Sequence, residues 1–347
     1  MSVDITMLGV SNTGKTCFMT AMYSIMCMGV NGFSLACRDH QQRIMLNANW
    51  QSLVRKRGDD RWMASATAIS RWSFNCCYAY RPIIGIDMLD YRGGLLESDS
   101  NESLEEYDQL LGYFNNSACI FIMIPANRLH SGLKDYKDPS SIVNAINPVL
   151  TKYRESTGGR TCPISVIITK SDYLMAKNDS SKTKENFDFA IKNLKNYISP
   201  LFVADWPLFI CPVTLGKELA IDKNQGAIQP INIHLPVLYA ISLLLKKTIE
   251  QKRSELKTQI EEGQTARAQQ SNYESGSRIR RWWYSSEAAA SKEKADEIFK
   301  EVNNIKEEVN KMERDFQLSL NQLAQGKNCY FHLGSSEPIS IEEFFKR

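Results

Sequence analysis

The sequence predicts an α/β domain, a mostly parallel six-stranded sheet flanked by helices, with a C-terminal helical hairpin or short coiled coil beyond it. Three observations predict it. The runs "ACIFIMI" (118–124), "PISVIIT" (163–169) and "PLFICPV" (207–213) are continuously apolar, as strands buried on both faces read. A glycine-rich loop, "GVSNTGKT" (9–16), stands between the apolar run "VDITML" and a second one, "CFMTAMYSIMCM". In the last third, Ile298, Val302, Ile305, Val309, Met312, Phe316 and Leu323 fall at helical spacing, with Ser319 where the stripe expects another apolar side chain.

The chain of 347 residues can bury a substantial core, as one large domain with extra elements or as two domains. Its 42 basic and 39 acidic residues leave a net charge of +3, which argues against a general nucleic-acid role. Nine cysteines show no zinc-type spacing and no cleavable signal opens the chain, so they read as reduced core thiols of a cytoplasmic protein. No charge occurs from Cys17 to Cys37, a stretch as long as a membrane span. The loop ahead of it, with Asn31 and two glycines inside, makes Cys17–Met28 a buried first helix instead.

The first strand is "VDITML" (3–8). The loop after it has the spacing of a phosphate-binding P-loop: Gly9 and Gly14 let backbone amides point at a β-phosphate, and the next helix adds its positive end. Lys15 would reach the β- and γ-phosphates, and the Thr16 hydroxyl would take a Mg²⁺ position. A helix inserted at about 38–60 is expected from Ile44, Leu46, Trp50 and Leu53. "SRWSFNCCYAY" (70–80) reads as a strand that hairpins at Arg81–Pro82 onto "RPIIGIDMLDYRGG" (81–94), whose apolar run ends at Asp90. With Gly93, Asp90 forms D-x-x-G, in which the carboxylate would hold Mg²⁺ through water and the glycine amide would meet the γ-phosphate. The fifth strand ends in "TKSD" (169–172), and the sixth leads into "PVTLG" (212–216).

In this order and at strand ends, the four motifs resemble a Ras-like GTPase domain of the translation-factor-related class, over residues 3 to about 232. The resemblance implies GTP/GDP and Mg²⁺. Asp172 would accept from N1–H and the exocyclic amine of guanine, donors adenine lacks, while the Lys170 stem lies over the ring. Thr214 stands where the S-A-x loop of the superfamily has serine. An ATPase or kinase gives no reason for T-K-S-D. Thr67, 23 residues before Asp90, is the expected switch threonine, with Ser65 and Ser70 as alternatives. Asn12 matches the P-loop asparagine of Era-like GTPases, which implies K⁺ in place of an arginine finger. Gly94 stands where Ras-type enzymes carry glutamine, so slow hydrolysis is expected, and Arg71 and Arg92 are candidate arginines in cis.

The expected nucleotide contacts are therefore Gly9, Ser11, Asn12, Thr13, Gly14, Lys15, Thr16, Cys17, Gly93, Thr169, Lys170, Asp172, Thr214 and Leu215. Lys15, Asn12 and Thr67 are the expected catalytic residues, and Thr16, Thr67 and Asp90 the Mg²⁺ ligands.

The expected organisation is a GTPase domain at 1–232, a helical arm at 233–326 and a tail at 327–347. Leu238, Ile241, Leu245, Ile249, Leu256 and Ile260 begin the arm's first stripe. "GSRIRRWWYSS" (276–286), with 278–284 as its basic and aromatic centre, suits a membrane surface as in dynamin-like proteins, a protein or nucleic-acid contact, or aromatics folded back on the bundle. The tail "CYFHLGSSEPISIEEFFKR" is apolar enough to add a strand or dock on a partner. The four histidines are isolated. Two functions remain: a GTP hydrolase whose switches control the arm and its binding of a protein partner or a second copy, and a nucleotide-bound scaffold. Long GTPases of this kind resemble members of bacterial conflict and signalling systems.

Overall fold

A computed structural model describes residues 2–63, 70–90, 101–133, 135–203, 205–275, 285–334 and 337–346. It divides into two compact units: Met1–Ile241 with Gln322–Arg347, and Ser242–Asn321.

The first unit is built on eight strands: β1 Ser2–Leu8, β2 Phe33–Cys37, β3 Ser70–Tyr78, β4 Arg81–Asp90, β5 Cys119–Pro125, β6 Ile164–Thr169, β7 Pro207–Pro212 and β8 Tyr330–Leu333. Their order is β2-β3-β4-β1-β5-β6-β7-β8. The five central strands run parallel, while β2, β3 and β8 are antiparallel to their neighbours. All seven residues of β5 and all six of β6 are buried, which is why these strands read as unbroken apolar runs.

Six strands were expected and eight are present among the described residues. The added ones are the edges, β2 and β8, short and held by one neighbour each. β2 lies in the uncharged segment after the first helix, where periodicity over five residues is too short to mark a strand. β8 places the tail: Phe331 stacks on Phe209 of β7 at 4.8 Å and meets Phe344 at 5.3 Å.

The β3–β4 hairpin turns at Ala79–Tyr80, both left-handed at φ 47 and 63, rather than at Arg81–Pro82. Positive φ at both central residues is the geometry whose twist matches the flanking strands. Tyr78 pairs Arg81 and Cys77 pairs Pro82, and the register shifts between Cys76 and Cys77. Pro82 precedes Gly85, where pairing to β1 begins, so its missing N–H breaks no ladder bond there.

Helices α1 Lys15–Cys27, α2 His40–Arg55, α3 Asn101–Asn116, α4 Ser140–Ser156, α5 Ser180–Tyr197 and α6 Pro200–Val203 accompany the sheet. Among the described residues no helix is long and apolar enough to cross a membrane. α2 occupies the expected insertion, and the Asp39 carboxylate caps it by accepting the Gln42 N–H at 2.7 Å. Leu46 and Leu53, two turns apart, are its buried residues, whereas Ile44 is 51% exposed. Ile44 and Leu46 are two positions apart, about 200° around the helix, so one face cannot bury both.

Helix α7 (Leu235–Glu274) begins in the first unit and continues into the second, where α8 (Ser285–Leu323) runs antiparallel to it. Ile249, Ile305 and Val309 form the buried contact, with Leu256, Met312 and Phe316 packed around it. Lys252–Glu308 and Arg253–Glu313 pair at 2.7 Å along its side. Ser319 interrupts the stripe because its hydroxyl meets that of Ser242 at 2.7 Å inside the contact. A last helix, α9 (Ile341–Lys346), closes the tail within the first unit.

Candidate functional site

The chain reverses direction of build-out at β1, whose neighbours β4 and β5 lie on opposite sides, and a crevice opens beyond the carboxyl ends of these strands. The glycine-rich loop follows β1, Asp90 ends β4, Thr169 ends β6, and Thr214 lies just past β7. Residues far apart in sequence therefore meet at one end of the sheet.

Two loop positions need glycine. A Cβ on Gly9 would lie 2.8 Å from Thr13 Oγ1 and 3.1 Å from the Met123 carbonyl, and Gly14 sits at φ +91. Gly14 caps α1, so the first amides of that helix face the loop. Thr13 Oγ1 donates to the Val10 carbonyl at 3.0 Å. Lys15 is buried, and its ammonium donates to the carbonyls of Gly9 (2.6 Å) and Val10 (3.2 Å), folding back over the cradle.

The T-K-S-D residues divide their work. Thr169 Oγ1 donates to the Thr13 carbonyl at 2.7 Å, and Lys170 Nζ donates to the Asn12 carbonyl at 3.1 Å, so both pin the loop. Lys170 adopts a left-handed φ of 54, and burial lowers its pKa. Asp172 faces the next loop, where Thr214 Oγ1 donates to its Oδ1 at 2.9 Å and accepts the Gly216 N–H at 3.0 Å. Burial raises the Asp172 carboxyl above its ordinary pKa, and the Thr214 hydrogen bond opposes that rise. Backbone bonds from Val213 N–H to Ile168 (2.8 Å) and from Ser171 N–H to Val213 (3.2 Å) hold the two loops together.

A cavity of about 450 Å³ joins these parts. Ser11, Asn12, Thr13, Gly14, Lys15, Thr16, Cys17, Thr169, Lys170, Asp172, Thr214 and Leu215 all line it, twelve of the fourteen expected contact residues; of the other two, Gly9 does not line it and Gly93 lies outside the described residues. Thr67, Gly93 and Gly94, together with Ser65, Arg92 and 278–284, lie outside the described residues. Ser70 pairs directly with Asp90 across β3 and β4, so the chain enters β3 at the Asp90 end of the sheet.

Asp90 is buried, and its Oδ1 has no hydrogen-bond partner. Burial pushes its carboxyl up to about 6, against the pull of Lys15 and a hydrogen bond with Thr16. An orphaned carboxylate oxygen beside a hydroxyl and an ammonium is a donor set that fits Mg²⁺ with a phosphate. Elsewhere among the described residues, no three His, Cys, Asp or Glu side chains gather as a metal cluster. Cys17 has its thiol raised to about 11 by burial, so it lines the cavity in its neutral form.

Arg71 is otherwise engaged. It pairs with Asp4 at 2.9 Å and Asp87 at 3.0 Å, both inside strands, and does not line the cavity.

Trp62, Met63, Lys137, Tyr173, Leu219 and Lys223 also line the cavity and carry no motif in the sequence. Four lysines, 15, 137, 170 and 223, face one lining carboxylate, Asp172, a balance suited to a polyanion.

No family model matches the sequence, and no curated protein matches it. Among solved structures, the chain is similar to sup35 complexed with GDP, at 10% identity and a TM-score of 0.29 over 61% of this chain and 37% of that one. It is also similar to LeoA, a bacterial dynamin GTPase from ETEC, at 15% identity and a TM-score of 0.34 over 92% of this chain and 62% of that one. The chain thus spans less than two thirds of either, and with TM-scores this low the functional reading rests on the chain's own residues.

Proposed function

We propose that the chain is a guanine-nucleotide-binding protein that hydrolyses GTP slowly. One observation carries the reading: a carboxylate oriented by a neighbouring hydroxyl, Asp172 with Thr214, opens on the same cavity as a lysine-bearing P-loop. A buried carboxylate that accepts two donors discriminates strongly, because adenine would leave it unpaired. Lys15 and the amides after Gly14 hold the β- and γ-phosphates, and Lys170 covers the base while pinning the loop.

Thr16 and Asp90, with Thr67 arriving from the segment before β3, are the Mg²⁺ ligands in this reading. A cation held there would offset negative charge on the terminal phosphate. Asn12 lies at the cavity rim, where a K⁺ ion would do the work of an arginine. Gly94 offers no side chain to orient water, which favours slow turnover and keeps a second reading open, a nucleotide-bound scaffold. The helical pair is the part whose contacts nucleotide state would alter, with a protein partner or a second copy as its target.

Titration with fluorescent GDP and ADP tests the base preference. Guanine affinity should exceed adenine affinity by at least about a hundredfold, the scale of one unpaired buried group, and Asp172→Asn should shift preference toward xanthine nucleotides. Equal affinities remove the assignment. Phosphate release from GTP in K⁺ against Na⁺ then separates hydrolase from scaffold.

A further inference from the structure

Two segments that no motif marks meet beside the cavity. Residues 58–63 supply Trp62 and Met63 to its wall, and the loop 216–226 supplies Leu219 and Lys223. The Gly58 N–H donates to the Asn224 carbonyl and Arg61 Nη1 to the Lys223 carbonyl, both at 3.4 Å. Arg61 Nε also donates to the Leu53 carbonyl at 2.7 Å, at the end of α2, and its guanidinium lies 5.8 Å from the Trp62 ring.

Arg61 is 0% exposed, its Nη2 has no hydrogen-bond partner, and among the described residues no carboxylate lies within ion-pair distance of it, Asp222 acting on it only from farther off. A buried cation with no carboxylate in contact is costly to hold, since carbonyl partners offset its desolvation only in part. Stability therefore does not explain an arginine here. What the guanidinium does is reach carbonyls on two separate segments at once.

The far side of the contact is stiff. A Cβ on Gly216 would lie 2.1 Å from the Ala227 carbonyl and one on Gly226 2.8 Å from the Asp222 carbonyl, while the Asp222 carboxylate accepts the N–H groups of Asn224 and Gln225 at 3.0 Å. The near side begins at Gly58, with a φ of +69 and open space around it, and its bonds across the gap are at the long end of the hydrogen-bond range. Any opening falls on residues 58–63.

We propose that Arg61 is a positioning residue, the pin of a clasp between residues 58–63 and the 216–226 loop that sets how long a nucleotide stays bound. The inference rests on the guanine-nucleotide reading. Its test is the release of N-methylanthraniloyl-GDP chased by unlabelled GDP, in the full chain and in Arg61→Met and Arg61→Lys.

Arg61→Met should release the label about tenfold faster or more, the scale of losing one charge-assisted hydrogen bond, with little change in association rate. Arg61→Lys, which reaches only one carbonyl, should fall between. The melting midpoint of the ligand-free Arg61→Met protein should be unchanged or higher. Unchanged release overturns the clasp, and so does a fall in that midpoint or failure of the variant to fold, since either assigns Arg61 to stability. No binding of the label by the wild type removes the nucleotide reading and the clasp with it, whereas binding with equal release rates removes the clasp alone.

Discussion

Asp90 is held where its own charge is disfavoured. Burial raises its carboxyl from 3.8 to about 6, so in the ligand-free fold it binds a proton more tightly than in the unfolded chain. Between about pH 4 and 6 the native state then carries more protons than the unfolded one, and stability falls as pH rises through that window. The raised value corresponds to about 2–3 kcal/mol at neutral pH. Asp90→Asn should accordingly raise the melting midpoint of the ligand-free protein at pH 7.5, with the difference from wild type closing toward pH 4. The same variant should lose the Mg²⁺ dependence of GTP binding. A midpoint that falls at pH 7.5 would show the carboxylate to be compensated in the free protein.

At the scale of elements, the helical pair depends on a polar contact where a stripe expects an apolar one. Ser242 and Ser319 hydrogen-bond within the buried contact, and Ser319 Oγ also lies 2.7 Å from the Phe316 carbonyl. The backbones come close at a second place, since a Cβ on Gly263 would stand 3.2 Å from Ile298 Cγ2. Completing the stripe with Ser319→Leu should therefore destabilise the pair by about 1–3 kcal/mol, because the side chain has no volume to fill and the Ser242–Ser319 hydrogen bond is lost. Urea unfolding followed by helical circular dichroism reads the change. A more stable variant would mean that the serine pair is a defect rather than a fit.

For the whole molecule, the connection from the first unit to the second runs through one helix: α7 starts beside β7, where the Tyr239 hydroxyl donates to the Pro207 carbonyl at 2.8 Å, and continues without a break into the second unit. Helix termini packed on a sheet transmit small shifts because close-packed interiors have few intermediate arrangements. Hydrogen exchange with a non-hydrolysable GTP analogue against GDP should differ in peptides spanning 60–98 and again in 286–325, with sedimentation shifting in the same two states. A difference confined to the first span, at constant mass, favours the scaffold.

The phosphate and base motifs were legible because their chemistry demands residue types at fixed short spacing. Gly9, Gly14, Lys15 and Thr16 fall in one stretch of eight residues, and Thr169, Lys170 and Asp172 at one strand end. The central strands were equally legible, since burial on both faces writes an unbroken apolar run. The edges were less so: β2 left no signal, and for β8 the tail's apolar content left an added strand and a docked segment both open, because strands of five and four residues draw their order from a single neighbour. Nor could spacing show that Arg71 is occupied by Asp4 and Asp87, that Ser319 answers Ser242, or that Trp62, Lys137 and Lys223 wall the cavity. By itself the sequence determined which residues form the glycine-rich loop and the strand-end motif, because that code is local. Tertiary structure alone decided what surrounds them, because a wall built from residues more than a hundred positions apart leaves no periodic trace in any one segment.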